Sequence, residues 1–415
     1  ECIGQCSQHL SDIPENEITY SSMWHETNSR KDGTIRDDVH FPNGDEPIVY
    51  SGPFIGVGNP LLQSSRRHYK GNSDYDFVDL TAIPADYEPR VKYAQACSSA
   101  EYAKRMPKMT DGTPFDAVYR VVCRGMVGLS SERTLQSAGV HPRVAWVHAV
   151  TGYGVHPQRY ATLALMMGAQ ASLPLDYLVR SIGKTNINTG TLQLLPIPNG
   201  VLASEIILRG LLLNCLTGGY AELWQSCWSN SYTTVEWSKR DSRLPNTTFS
   251  SLADTWTYET PLRSEYSRRQ ALVELDVLVA MALGMTLDEL IDIYRFTFSV
   301  LKSYEDDTWY DRNGRVVYSY KGAYAKISLK RDEFERIRDE QDGFVKTITI
   351  EDDTLPDGPI KRDIRFVAPY DRCDRIEDYR TAWAFFEAKY GEALAQERLE
   401  REAMQATKAE QEGGR

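Results

Sequence analysis

The chain has 415 residues, 41% of them hydrophobic, with 8 Trp and 24 Tyr, which is ample for a buried core and for two or three domains. Its net charge is −11, and the one positive block is residues 52–180, with 14 Lys and Arg against 10 Asp and Glu. The longest apolar stretch, around Val201–Leu216, is interrupted by Glu205, Arg209 and Asn214, so neither a membrane span nor a membrane partner is expected.

Residues 1–50 are polar and rich in turn formers, with Met23-Trp24-His25-Glu26-Thr27 ahead of the turn Lys31-Asp32-Gly33-Thr34. They read as a connecting segment. Strand patterns follow at Tyr75–Leu80, at Val118–Val122 continuing into Cys123 and Arg124, and at Trp146–Val150. Residues 157–182 carry a helical stripe of Ala161, Leu165, Leu173, Leu175 and Leu178, with Pro174 limiting its continuity. Residues 201–216 and 262–303 read as helices. In the second stretch Leu272, Leu275, Val279 and Ala282 recur at helical spacing, and Leu275–Leu283 should be buried. Gly284 ends that pattern, and Thr286 with Glu289 forms a capping box that opens the next helix. This pair has the outline of a helix–turn–helix, but Asp288, Glu289 and Asp292 on its second member would repel phosphates. Two packed core helices are therefore expected. From about Glu387 the tail is charged and helix-prone.

The expected fold class is mixed α/β (α+β): residues 51–200 as one domain, then a mostly helical region over 201–386 with a small strand insertion, then a terminal helix or tail over 387–415. The chain opens on Glu1 rather than Met, and the expectation is a fragment of a longer polypeptide. No secretory apolar segment stands at the N-terminus. Cys97, Cys123, Cys215, Cys227 and Cys373 are scattered, and only Cys2 and Cys6 lie close together. Reduced thiols and a cytoplasmic location follow.

Catalytic motifs are sparse. Gly56-Val57-Gly58 is a lone G-x-G without the later glycine of a dinucleotide loop, and there is no Walker loop or G-x-S-x-G elbow. His25, His141, His148 and His156 do not have the spacing of metal ligands, and no H-E-x-x-H occurs. Asp306, Asp307 and Asp311 lack a Glu-x-Lys partner and read as a solvated cluster. An enzyme that methylates a flipped adenine holds the exocyclic amine in an Asn/Asp-Pro-Pro-aromatic loop. Asn59-Pro60-Leu61 lacks the second proline and the aromatic.

Several ordered segments resemble one family. Ser51-Gly52-Pro53 with Val57-Gly58-Asn59-Pro60-Leu61 is similar to its Ser-Gly-Pro…Gly-Asn-Pro-Leu opening. Tyr87, Pro89-Arg90, Tyr93, Arg124 and Glu132-Arg133-Thr134 also match. Ser172-Leu173-Pro174-Leu175-Asp176-Tyr177, Arg180–Asn188 and Leu194-Leu195-Pro196-Ile197-Pro198 resemble the segment that closes its target-recognition domain. Glu274–Ala280, Asp307–Asp311, Asp371–Arg375 and Tyr379–Trp383 resemble its C-terminal region. The family is the large adenine-specific DNA methyltransferases of type IIG restriction–modification and of BREX- and DISARM-type phage defence. The likeness spans about Met23 to Trp383. It implies sequence-specific recognition of double-stranded DNA beside an N6-adenine methyltransferase domain, in cis or in trans. The catalytic core that would bind S-adenosylmethionine is missing here, so the resemblance assigns no catalytic and no cofactor-binding residue to this chain.

Phosphates set register and base edges carry sequence. On that division Arg66, Arg67 and Lys70 suit phosphates, and Arg120, Arg124, Arg133 and Arg143 are candidate readers. Arg180, Lys184, Asn186 and Asn188 complete the expected interface. The plain alternative for any of the arginines is a salt bridge, and for the two asparagines a turn-stabilising role. A stand-alone specificity subunit and a structural protein whose motifs only preserve a core remain the other readings.

Overall fold

Strands near the N-terminus take their partners from far along the chain. The computed structural model describes residues 8–413 except 72, 127, 129 and 130; Cys2 and Cys6 lie outside the described residues. Ten strands come first: β1 (Ile18–Ser21), β2 (Ile35–His40), β3 (Ile48–Tyr50), β4 (Gln63–Ser65), β5 (Tyr75–Phe77), β6 (Val91–Gln95), β7 (Arg120–Arg124), β8 (Ser137–Val140), β9 (Val144–Trp146) and β10 (Val150–Val155). One antiparallel sheet has the order β1-β10-β7-β8, and a second has the order β2-β6-β3-β9 with β3 and β9 parallel. Residues 18–50 therefore supply strands to both sheets, where a connecting segment was expected over 1–50. Trp146–Val150, expected as one strand, is where the chain leaves β9 and enters β10.

Alternation along β7 explains the layers. Val122 points to the second sheet, where Ile48, Tyr50, Val144 and Trp146 are buried with it. Val121 and Cys123 point the other way, into a helical core with Leu163 and Met167. The first sheet is thus covered on both faces, and every residue of β10 is buried.

The expected helix over 157–182 is two helices, Tyr160–Ala169 and Leu173–Ser181. Pro174 stands in the first turn of the second, where its missing N–H costs nothing. Tyr160–Ala169 crosses the helix Ala203–Asn214 at a pair of glycines. A Cβ on Gly168 would lie 2.5 Å from the Ile206 carbonyl oxygen, and one on Gly210 would lie 2.7 Å from the Gly168 nitrogen. Backbone atoms cannot swing aside as a side chain can. Gly168→Ala should therefore lower stability by about 1–3 kcal/mol through overpacking, read as a lower urea midpoint at unchanged m-value.

Helix Glu265–Ala282 runs through the middle of the molecule with nearly every residue buried, as a helix apolar on most faces must. Leu275–Leu283 is buried as expected. Gly284 follows at φ +76°, and Thr286 and Glu289 form the anticipated capping box on Leu287–Asp292. The chain then makes a π-helical turn, Ile293–Thr297, before helix Ser299–Asp306. The small strand unit comprises β11 (Trp309–Tyr310), β12 (Val316–Tyr318), β13 (Val345–Asp352), β14 (Ile360–Val367) and β15 (Asp371–Arg372). It has its own core of Val317, Leu329, Phe334, Ile364 and Phe366.

The last helix begins at Arg375, well before the expected 387, and runs to Gly413. It buries Tyr379, Ala382 and Phe386 in the same core that begins at Leu10. That core joins the two sides of residue 200, so 200 does not separate two independently packed halves. The fold class is a mixed α+β fold with a C-terminal helix. No helix among the described residues is long and apolar enough to cross a membrane.

Candidate nucleic-acid interface

Four expected base readers sit inside the protein or at its seams. Arg120 is fully buried, and its guanidinium donates to the carbonyls of Val118 at 2.8 Å, Val144 at 2.5 Å and His141 at 2.6 Å. Burial pushes this cation down to about 10. It ties the two sheets together and cannot reach a groove. Arg124 donates to the carbonyls of Ile55 at 2.7 Å and Pro53 at 3.3 Å, which anchors the 51–61 segment on β7. Arg133 is buried against Asp176, with Nε 2.6 Å from the carboxylate. Arg143 forms the tight turn between β8 and β9 at φ +73°, with Nη2 3.4 Å from the Glu46 carbonyl. Base reading by these four is replaced by structural bonding.

The segments that carry the family resemblance bond to one another. Asp176 accepts from Arg133 and from the backbone N–H groups of Thr134 at 3.1 Å and Leu135 at 2.9 Å. Asp276, fully buried, accepts from the Leu173 N–H at 2.7 Å, Arg375 at 2.6 Å and the Tyr379 hydroxyl at 2.6 Å. Glu274 accepts from Arg209 at 2.7 Å and from the Ser238 hydroxyl at 2.6 Å. A buried carboxylate needs such donors to stay charged, and this requirement accounts for acidic residues inside otherwise apolar runs.

What remains accessible forms two patches. The loop between β4 and β5 carries Arg66, Arg67 and Lys70. Arg66 pairs with Asp76 at 2.9 Å, and Arg67 pairs with Asp353 at 3.2 Å on the tip of the β13–β14 hairpin. Lys70 is exposed. Both arginines are partly open to solvent, and if either turned to a phosphate its carboxylate would keep a second cation, Lys326 on the buried Asp76 and Arg90 on Asp353. A phosphate could replace either carboxylate at small cost.

The second patch begins at the end of helix Leu173–Ser181. Arg180 donates to the Thr297 carbonyl at 2.7 Å and lies over the Phe298 ring, which fixes the π-helical turn beside it. Lys184 and Asn186 follow on an exposed loop. Asn186 pairs with Met126 in an isolated bridge, and the Ile187 N–H donates to the Gly125 carbonyl at 2.7 Å. Asn188 caps the helix Thr189–Gln193 through its side chain, 3.1 Å from the Thr191 nitrogen; its expected contact with DNA gives way to the turn-stabilising role.

Three members of this patch were missed in the sequence. Met126 and Phe296 are each 78% exposed, and Arg295 is exposed next to Phe296. Lys184 and Arg295 enter no ion pair among the described residues. Phe296 lies in the 262–303 stretch read as helical, between Arg295 and Thr297, and stands in the π-helical turn, which inserts one residue into the helical ladder.

The remaining candidates are occupied locally. Asp311 is fully buried and accepts three backbone N–H groups, from Asn313, Arg315 and Val367 at 2.8–3.0 Å, so it is not part of a solvated cluster. The His25 and His148 rings stack at 4.4 Å, and His141 faces Glu88 at 3.2 Å. No metal-ligating group of three occurs among the described residues. In comparisons with known proteins, no family model and no curated protein matches this chain.

Proposed function

We propose that this chain is the DNA-recognition part of an N6-adenine DNA methyltransferase of the restriction–modification or phage-defence kind, acting on double-stranded DNA in the cytoplasm. Methyl transfer from S-adenosylmethionine belongs to a catalytic domain joined in cis or in trans. The observation that carries this reading is the patch of Lys184, Asn186, Arg295, Phe296 and Met126. It holds two cations with no carboxylate partner among the described residues, an amide that can bond a base edge, and two large apolar side chains open to solvent. Cations fix the duplex through its phosphates, and exposed apolar side chains are the groups that wedge against base steps.

A net charge of −11 does not oppose this, because phosphate neutralisation is local on the scale of the Debye length, about 8–10 Å. The test is fluorescence anisotropy of a labelled mixed-sequence duplex titrated with the chain at low salt. Binding that weakens along a straight log–log line with salt is expected, with a slope near −0.9 per phosphate contact. Absence of binding at about 50 mM salt, where counterion release is strongly favourable, would sink the proposal.

A further inference from the structure

A cleft of about 480 Å³ lies between the 56–63 turn, Arg124 with Ser131, Glu132, Arg133 and Gln136, helix Glu265–Ala282 and the 301–324 region. Its charge is not balanced from within. Arg124, Arg263 and Arg268 line it, and their hydrogen bonds go to main-chain carbonyls: Ile55 and Pro53 for Arg124, Tyr258, Leu80 and Leu216 for Arg263, Leu213, Leu262 and Gly58 for Arg268. Glu132 in the same lining pairs with Lys321 and also acts on Arg124, and Glu265 acts on Arg268. No carboxylate hydrogen-bonds these three guanidinium groups among the described residues, however, and burying a guanidinium without such a bond is costly. Burial pushes both Arg124 and Arg268 down to about 10.

Two further polar atoms of the lining have no partner among the described residues. Arg269 is 6% exposed and pairs with Glu305 and Asp378, yet its Nη2 is buried without a hydrogen bond. Glu265 Oε2 is likewise buried without one. Aromatic rings supply the rest of the wall: Phe77 and Tyr324, with centroids 5.1 Å apart, and Tyr304 and Tyr310. The cleft is too large for a bare inorganic anion and falls in the range of small-molecule sites, about 300–1,000 Å³.

We propose that this cleft binds a mononucleotide, with the unbalanced arginines taking the phosphate and the tyrosine and phenylalanine rings taking the base. The proposal does not rest on duplex DNA binding.

Glu265 makes the proposal testable. Its carboxyl is raised to about 7, first by burial and then by Asp79, against the pull of Arg315; Asp311 adds to the rise. Arg268 on the same helix and Tyr324 also face it. Below pH 7 the carboxyl is neutral, and above it an anionic ligand meets a second negative charge. The probes are the 5′-methylphosphates of the four common nucleosides. They keep a single charge where an unblocked phosphate titrates, near its second pKa of about 6.

Calorimetry on the 415-residue chain should show at least one of them binding about tenfold tighter at pH 6 than at pH 8, as one pKa unit of coupling implies. Glu265→Gln should bind at pH 8 as tightly as the wild type does at pH 6. Methyl phosphate and the free nucleosides should each bind at least tenfold more weakly. The proposal is overturned if none of the four binds below millimolar concentration, or if a free nucleoside or methyl phosphate matches the nucleotide. A pH dependence that persists in Glu265→Gln overturns it as well.

Discussion

Arg209→Ala should cost about 3–5 kcal/mol of folding stability, the usual cost of breaking a buried ion pair from one side. Arg209 is fully buried. It lies on helix Ala203–Asn214, with Nη1 2.5 Å from Glu205 and Nε 2.7 Å from Glu274 on the central helix. Glu205 keeps Lys389 and Tyr390 from the last helix, at 2.8 Å and 2.6 Å, when the arginine is lost. Glu274 keeps only neutral donors, and a fully buried carboxylate is left without a cation.

The same cluster sets an acid limit. Burial alone would raise the Glu205 carboxyl, but Arg209, Lys389 and Tyr390 outweigh it and hold it at about 2, against 4.5 in the unfolded chain. The folded value is depressed, so this group's stabilisation is present above pH 4.5 and lost as pH falls toward 2. It amounts to about 3 kcal/mol. Urea unfolding followed by tryptophan fluorescence from pH 7 down to pH 3 should show a decline in the wild type that is shallower in Arg209→Ala. Equal stability of the two proteins at pH 7 would contradict this assignment of Arg209.

Arg133→Met should also cost about 3–5 kcal/mol, and it should leave salt-dependent DNA binding as it was. The methionine leaves Asp176 buried, with the Thr134 and Leu135 N–H groups as its remaining donors. A base reader would behave in the opposite way: its loss would spare stability and remove about 1–3 kcal/mol from the cognate site alone. Denaturation and binding measured on one variant therefore separate the two roles. Unchanged stability with a cognate-only loss would return Arg133 to the interface.

The contrast between Arg133 and Lys184 shows how far the sequence could be read. Periodicity identifies the central helix, because a residue must be buried on nearly every face to sustain Leu275 through Leu283. Local rules identify the Thr286 cap, since a capping box needs only residues three apart. Strand partners were not readable in that way. β3 pairs with β9, almost a hundred residues further on, and a polar segment such as 1–50 shows no alternation strong enough to announce a strand. The role of each arginine depended on what stood opposite it. Arg120 and Arg124 lie in a strand pattern and Arg66 and Arg67 do not, but the residue type alone does not say which arginine is bonded inside, and only tertiary partners place Arg120, Arg124 and Arg133 there. Phe296 gave no sign of its exposure, because no residue in the stretch announces the π-helical turn Ile293–Thr297 that holds it.

Within the segments quoted for the resemblance, Asp176, Asp276, Glu274, Arg133 and Arg375 make buried bonds that hold the core together. Under the proposed function, DNA contact falls to exposed side chains: Lys184 and Asn186 within the Arg180–Asn188 segment, and Arg295 and Phe296 outside the quoted motifs. A salt titration of duplex binding by the wild type, by Lys184→Ala/Arg295→Ala and by Arg133→Met tests this most directly. The account predicts a log–log slope about two units shallower for the surface double variant, with all sequences weakened alike, and the wild-type slope for Arg133→Met. An unchanged slope in the double variant, or no duplex binding by the wild type, would contradict it.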